Sequence, residues 1–351
     1  MKVARFYAPG DIRIEEAPEP APKAGELKIK VHNTSTCGTD LKIFRHGHHH
    51  IDPPRVIGHE IAGEVVEAGE GVRGWEEGAR VQVIAAIPCG DCAECRRGRM
   101  TVCPNQLSMG YHFDGGFAEY MIIPENVLKV DGVNRIPDSL GYAEASVAEP
   151  FACVLNGQTL AGVGDGDVVV VMGAGPIGCL HVRLARARGA EAVYLVELNQ
   201  SRLDLAASLV KPDAAICGSE VDAVEEVLAL TSGRGADVVI TAAASGKAQE
   251  DGLKMAARSG RISFFGGLPK DNPVIACDSN LVHYRELTIV GANGSTPYHN
   301  KQALDLIATG AVPVDDLITH RLPLDGVLDA IRIVSSGEAI KVTIEPGLAP
   351  A

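Results

Sequence analysis

The stretch Val168-Val169-Val170-Val171-Met172-Gly173-Ala174-Gly175-Pro176-Ile177-Gly178 decides the fold. Five consecutive apolar residues read as a strand buried on both faces of a parallel sheet, not as one alternating between core and solvent. The next six match G-x-G-x-x-G, and Ile177, Leu180 and Leu184 then recur at helical spacing. Strand, glycine turn and helix in that order form a dinucleotide-binding unit. Gly173, Gly175 and Gly178 let the backbone approach a pyrophosphate whose charge meets the helix N-terminus. Pro176 suits the first helical turn, where a missing N–H costs nothing. Glu197, nineteen residues past Gly178, ends the next strand candidate. A carboxylate there accepts hydrogen bonds from ribose hydroxyls and repels a 2′-phosphate, which favours NAD over NADP. Arg202 has three readings: stacking on adenine, pairing with Glu197, or solvating a helix.

Outward from this motif, residues 193–196, 214–217, 238–240, 262–265 and 287–290 are further strand candidates separated by amphipathic segments. With residues 168–172 they predict a doubly wound α/β domain over 150–290. Residues 1–149 read differently. Residues 27–32 alternate at period two, 64–69 and 80–84 are short strand candidates, and Pro18, Pro20, Pro22, Gly69, Gly71, Gly74 and Gly78 punctuate them. This half predicts a barrel-like β domain with ligands on its loops. After Gly291 come helix candidates near 301–308 and 324–334 and a closing strand at 340–344, a tail that matches neither half.

The chain has 351 residues, about two domains on the usual prior, and a formal charge of -13. That charge argues against a nucleic-acid or anionic-membrane surface. No apolar run reaches the roughly 18 residues of a membrane span. The start leads into Pro9-Gly10-Asp11 rather than a signal-peptide core. Nine cysteines without a leader read as metal ligands and thiols, and the expected location is cytoplasmic.

Cys89-x2-Cys92-x2-Cys95-x7-Cys103 is the sharpest local signal. Four thiolates so close in sequence suit a closed, structural zinc site. An iron–sulfur cluster is the alternative, disfavoured by the long last gap. A second donor set is dispersed: Cys37 in Cys37-Gly38-Thr39-Asp40, His59 and Glu60 in Gly58-His59-Glu60, and Glu149 before Pro150. Thiolate, imidazole and carboxylate suit zinc, and a mixed set that leaves a position open suits catalysis. His46 to His50 reads as a solvated loop, and His112 and His299 as satisfied polar groups. Cys153, Cys179, Cys217 and Cys277 read as small core hydrophobes.

Taken in order, Cys37-Gly38-Thr39-Asp40, Gly58-His59-Glu60, the four cysteines, Gly115-Gly116-Phe117-Ala118-Glu119-Tyr120, Glu149-Pro150 and the glycine loop resemble the zinc-dependent medium-chain alcohol and polyol dehydrogenases. The likeness is to the sorbitol, sugar-phosphate and threonine dehydrogenase branch, and it covers essentially the full length. It implies that residues 1–149 and 291–351 form one discontinuous GroES-like catalytic domain beside the Rossmann domain. It implies a catalytic zinc held by Cys37, His59, Glu60 and Glu149, Glu60 or Glu149 binding directly or through water. A structural zinc would sit on Cys89, Cys92, Cys95 and Cys103. Asp40 would accept from the far nitrogen of His59. Thr39 would take the substrate proton into a relay through the nicotinamide ribose, with Lys42 where relatives usually have a histidine. Ile177, Glu197 and Arg202 match cofactor contacts, and Phe265-Gly266-Gly267 with Ala292-Asn293 fall against the nicotinamide half. The implied reaction is hydride transfer between NAD and a secondary alcohol of a polyol or sugar-like molecule. Sugar phosphates and L-threonine are the alternatives within the family, and a catalytically silent NAD-binding homologue the alternative outside catalysis. Ile43 and Gly294 replace the aromatic and arginine contacts of sorbitol-type enzymes. The relatives form dimers or tetramers, so a homo-oligomer is expected.

Overall fold

A computed structural model describes residues 1–349. Contacts group them into two units, one formed by Met1–Ala152 with the segment from Gly294 onward, the other by Cys153–Asn293.

The second unit is built on a six-stranded parallel sheet. Its spatial order is Ala214–Cys217, Ala192–Glu197, Val168–Met172, Ala236–Thr241, Ala256–Phe264 and Thr288–Gly291. Neighbours pair in parallel throughout. The order reverses between Ala192–Glu197 and Ala236–Thr241, on either side of Val168–Met172. That switch point is where such sheets place a ligand, outside the carboxyl ends of the strands. All five residues of Val168–Met172 are buried, as an unbroken apolar run requires.

In the first unit a seven-stranded sheet runs Val133–Arg135, Arg80–Val83, Glu60–Ala68, Leu27–Ser35, Lys341–Glu345 and Ile318–Pro323, with Tyr120–Ile123 also paired to Leu27–Ser35. A smaller sheet joins Asp11–Glu16, Lys2–Ala8 and Arg55–Val56. The C-terminal strand Lys341–Glu345 pairs antiparallel with Leu27–Ser35, so the tail completes the sheet that the N-terminal segment begins.

Two boundaries differ from the sequence expectation for a physical reason. The strand expected at 64–69 begins at Glu60, because Glu60, Ile61, Ala62 and Gly63 are all buried and show no two-residue alternation. The last helix is Val327–Ser336, preceded by a 3-10 turn at Leu324–Gly326 and stopped by Gly337 at φ 79°. Cys277, expected in the core, is exposed.

His181, on the helix Pro176–Ala187, is wholly buried in the second unit. The Gln158 side-chain amide donates to its carbonyl at 2.8 Å, and Phe265 packs edge-on at 4.7 Å. Burial, with a smaller contribution from Arg188, pushes its pKa down to about 3. The unfolded chain takes up that proton near pH 6.5 and the folded chain does not. Stability that His181 confers above pH 6.5 is therefore lost as pH falls. Urea melts of the wild type should lose up to about 1.4 kcal/mol per pH unit more than His181→Gln between about pH 6 and 4. Parallel curves would refute this.

Candidate metal centres and dinucleotide loop

Antiparallel pairing sets Ser35 opposite Glu60 and Thr34 opposite Ile61. Cys37 and His59 each lie just beyond a paired position, so the register brings them side by side. Cys37 caps the helix Gly38–His46, and Asp40 in its first turn accepts the Cys37 N–H at 2.8 Å. His59 follows Gly58, whose φ of +91° is a conformation L side chains rarely adopt. A Cβ there would also stand 2.9 Å from the Phe117 ring. The Gly115-Gly116-Phe117 segment hydrogen-bonds this bend, with Gly116 N donating to Gly58 O at 2.9 Å.

One donor atom each from Cys37, His59 and Glu60 lies within 4.8 Å of the other two. Glu149, in the first turn of the helix Ala148–Leu160, is buried outside that trio. It is still close enough to act on the charges of His59 and Glu60. Asp40 Oδ1 stands 3.6 Å from His59 Nδ1, an ion-pair distance rather than a hydrogen bond.

The charges are strained without a cation. Burial raises the pKa of Glu60, against the opposing pull of Lys341 and His59. Burial also raises Glu149 to about 7, with Glu60 adding to the rise and His59 opposing it. Burial alone would lower His59, yet Asp40, Cys37 and Glu149 hold it well above its usual range. His59 Nδ1, Asp40 Oδ1 and Glu60 Oε1 are buried without a hydrogen-bond partner among the described residues, while Glu60 Oε2 meets the Lys341 ammonium. A divalent ion relieves such a surplus of buried acids, so the donor set fits one.

Two site residues escaped the sequence reading. Tyr111 hydrogen-bonds the Thr39 side chain, its hydroxyl pKa raised by burial, and its ring lies 6.0 Å from that of His59. Lys341 is ion-paired with Glu60. The available signals were an aromatic just past the four cysteines and a lysine inside the apolar run Ile340-Lys341-Val342. Thr39 Oγ1 accepts from Cys37 Sγ at 3.5 Å, so it belongs to the cluster. Lys42 is exposed on the same helix. His112 Nδ1 accepts from Ser108 N, and the His299 ring nitrogen meets Thr296, so both are satisfied polar groups.

The four-cysteine segment closes on itself. Sulfur separations are 3.5 Å for Cys89–Cys103, 3.8 Å for Cys92–Cys103 and 4.0 Å for Cys89–Cys95. A zinc–thiolate tetrahedron with bonds of about 2.3 Å has edges of about 3.8 Å. The backbone N–H of Cys95 lowers the Cys92 thiol to about 7, while burial raises Cys95 to about 12.

In the second unit, Gly173 has φ +115° and Gly175 caps the helix Pro176–Ala187, with Pro176 in its first turn. A Cβ on Gly178 would stand 1.8 Å from Gly173 O, so only glycine lets the helix close on the strand. Ile177, next to it, is partly exposed. No neighbour crowds Gly175, which leaves the loop an open cradle. Glu197 accepts the N–H groups of Ala174, Leu198 and Asn199 at 3.0, 2.8 and 3.1 Å, and Arg202 stands 3.9 Å away. Glu197, Gly173 and Ser245 line one pocket. Gly266 N donates to Thr241 O at 2.7 Å, and Ala292 N to Phe264 O at 3.4 Å. Asn293 O accepts from Asn156 at 3.4 Å. The Phe265–Gly267 loop and Ala292–Asn293 thus both follow carboxyl ends of sheet strands.

Residues 23–132 match the family described as the alcohol dehydrogenase GroES-like domain, and residues 176–309 the zinc-binding dehydrogenase family. The chain is 37% identical to the L-threonine 3-dehydrogenase of Pyrococcus horikoshii, over 93% of each chain. It is 32% identical to the sorbitol dehydrogenase of Halalkalibacterium halodurans, over 97% of each. A Sinorhizobium meliloti protein described as a zinc-binding dehydrogenase and bound to NADP superposes with a TM-score of 0.91 at 34% identity, covering 98% of this chain and 99% of that one. The chain belongs to the zinc-dependent medium-chain dehydrogenases, and it is an oxidoreductase.

Cys103→Ser should lower zinc from about two ions per chain to about one, because a closed four-thiolate site loses its ion with one donor. Elemental analysis of the purified protein reads this directly. An unchanged content would show that these thiolates do not hold zinc.

Proposed function

We propose that the chain oxidises a secondary alcohol of a polyol or sugar-like substrate, passing the hydride to NAD. The observation that carries this is the Cys37–His59–Glu60 donor trio, its imidazole and carboxylate buried, in a chain that also presents the open Gly173–Gly178 loop. Zinc on the trio supplies Lewis acidity toward a substrate oxygen, and NAD supplies the hydride acceptor. Thr39 stands beside the Cys37 sulfur, where its hydroxyl would accept a hydrogen bond from the substrate alcohol, and Tyr111 hydrogen-bonds that same hydroxyl and so orients it. Asp40 anchors the Cys37 backbone and faces His59, which fixes both donors.

Substrate class follows from charge. The cations acting on Asp40, Glu60 and Glu149 are His59 and Lys341, and Lys341 is tied to Glu60. Both are already engaged with the cluster's own acids, which leaves a phosphate no side-chain partner between them and supports an uncharged polyol. L-Threonine is a second reading, supported by the Pyrococcus relative; its carboxylate would need a cation that this cluster does not supply. For the cofactor, Glu197 repels a 2′-phosphate and supports NAD, whereas the Sinorhizobium structure carries NADP.

Kinetics with polyols, sugar phosphates and L-threonine, each with NAD and NADP, test the reading. The expected result is kcat/KM highest for a polyol, with NAD favoured by about ten-fold or more, the worth of one charged hydrogen bond. Higher kcat/KM on L-threonine would overturn the polyol assignment.

Assembly into a homo-oligomer is proposed from the sheet edge. Thr288–Gly291 is an edge strand with Ile289 39% exposed, near Tyr284 at 69%. An apolar open edge invites pairing with a second copy of itself. Ile289→Lys should shift the protein toward smaller species in sedimentation equilibrium. An unaltered mass would place the interface elsewhere. Ligand thiolates at both metal centres require a reducing compartment, which supports a cytoplasmic location.

A further inference from the structure

Lysine is almost never wholly buried, because its ammonium loses hydration. Lys341 is an exception, its side chain 3% exposed. Its Nζ donates to Thr36 O at 2.8 Å and is ion-paired with Glu60 Oε2, a side chain 1% exposed. The residues on either side, Ile340 and Val342, are buried in the apolar core. Buried ion pairs rarely stabilise a fold more than apolar residues of the same volume. A strand in this place has no need of a charge, so the charge calls for another explanation.

Glu60 supplies it. The same carboxylate that meets Lys341 is one of the three donor groups gathered within 4.8 Å at Cys37 and His59. Lys341 is the partner of Glu60 Oε2, while Glu60 Oε1 is buried with no hydrogen-bond partner among the described residues. Lys341 also grips the carbonyl of Thr36, the residue before Cys37. One ammonium therefore spans the turn that bears the thiolate and the carboxylate that stands opposite it.

We propose that Lys341 competes with the metal at Cys37 and His59 for the Glu60 carboxylate, making Glu60 an exchangeable donor and setting how long that site retains its ion. The proposal rests on the reading of Cys37, His59 and Glu60 as a metal centre. Two cations cannot both fully claim one buried carboxylate, so binding at one weakens binding at the other. When Glu60 leaves the metal, Lys341 receives it as a paired charge. Without Lys341, Glu60 would have to leave as a bare buried anion, and departure becomes unfavourable.

Release of zinc from the holoenzyme to excess chromophoric chelator tests this. The relevant kinetic phase is the one missing from Cys37→Ser. Lys341→Met should slow that phase by about ten-fold or more, the scale on which partners of ligands act. Lys341→Arg keeps the charge and should release zinc like the wild type. Release from Lys341→Met as fast as, or faster than, from the wild type overturns the proposal. Should that variant not accumulate, Glu60→Gln and Glu60→Gln/Lys341→Met carry the test. Since Lys341 acts through Glu60, those two should agree within about two-fold, the scatter of independent sites, and a larger gap overturns it. A wild-type protein holding zinc on the four cysteines alone defeats the metal-centre reading itself, which is a separate result.

Discussion

The antiparallel register of Leu27–Ser35 against Glu60–Ala68 is the constraint on which the candidate catalytic centre depends. Setting Ser35 opposite Glu60 leaves Cys37 just past the end of one strand and His59 just before the start of the other. A slip of one residue would turn every side chain of a strand to its opposite face and separate the two donors. The register is held on several sides. Tyr120–Ile123 pairs with the same strand, Thr34 Oγ1 donates to Gly116 O, and Thr36 N donates to Val342 O. Strands distant in sequence thus fix one short turn.

What gathers there is costly in electrostatic terms. Asp40, Glu60 and Glu149 are buried together, and burial raises the pKa of each. His59 and Lys341 offset part of the negative charge. The remainder is the reason such a pocket suits a dication. Lys341 belongs to that balance, since it is ion-paired with the Glu60 carboxylate.

The second unit solves a different problem with backbone alone. Gly178 lets the helix sit against Gly173 O, and a Cβ on Gly175 would meet nothing within 4 Å, so the loop has room for a close approach there. Glu197 is locked by three backbone N–H groups before any ligand arrives. Its carboxylate is thereby pre-positioned, which lowers the ordering cost of binding.

The sequence alone determined much of this. An unbroken valine run announces a strand buried on both faces, a glycine spacing announces a turn, and four cysteines within one short segment announce a closed site. Each is a local pattern whose physical cause lies within a few residues. The dispersed donors Cys37, His59, Glu60 and Glu149 were legible as residue types that suit zinc, and the family resemblance assigned them to one site. The sequence did not reveal where Glu60–Ala68 begins, because a strand covered on both faces loses its alternation. It did not reveal Tyr111 or Lys341, since an aromatic past the cysteines and a lysine within an apolar run name no partner. Only the tertiary structure brings Lys341 to Glu60, across nearly the whole chain, because the C-terminal strand closes against Leu27–Ser35. Local motifs are written in neighbouring residues; the charge balance of a buried site is written in sheet register, and only the folded chain reads it out.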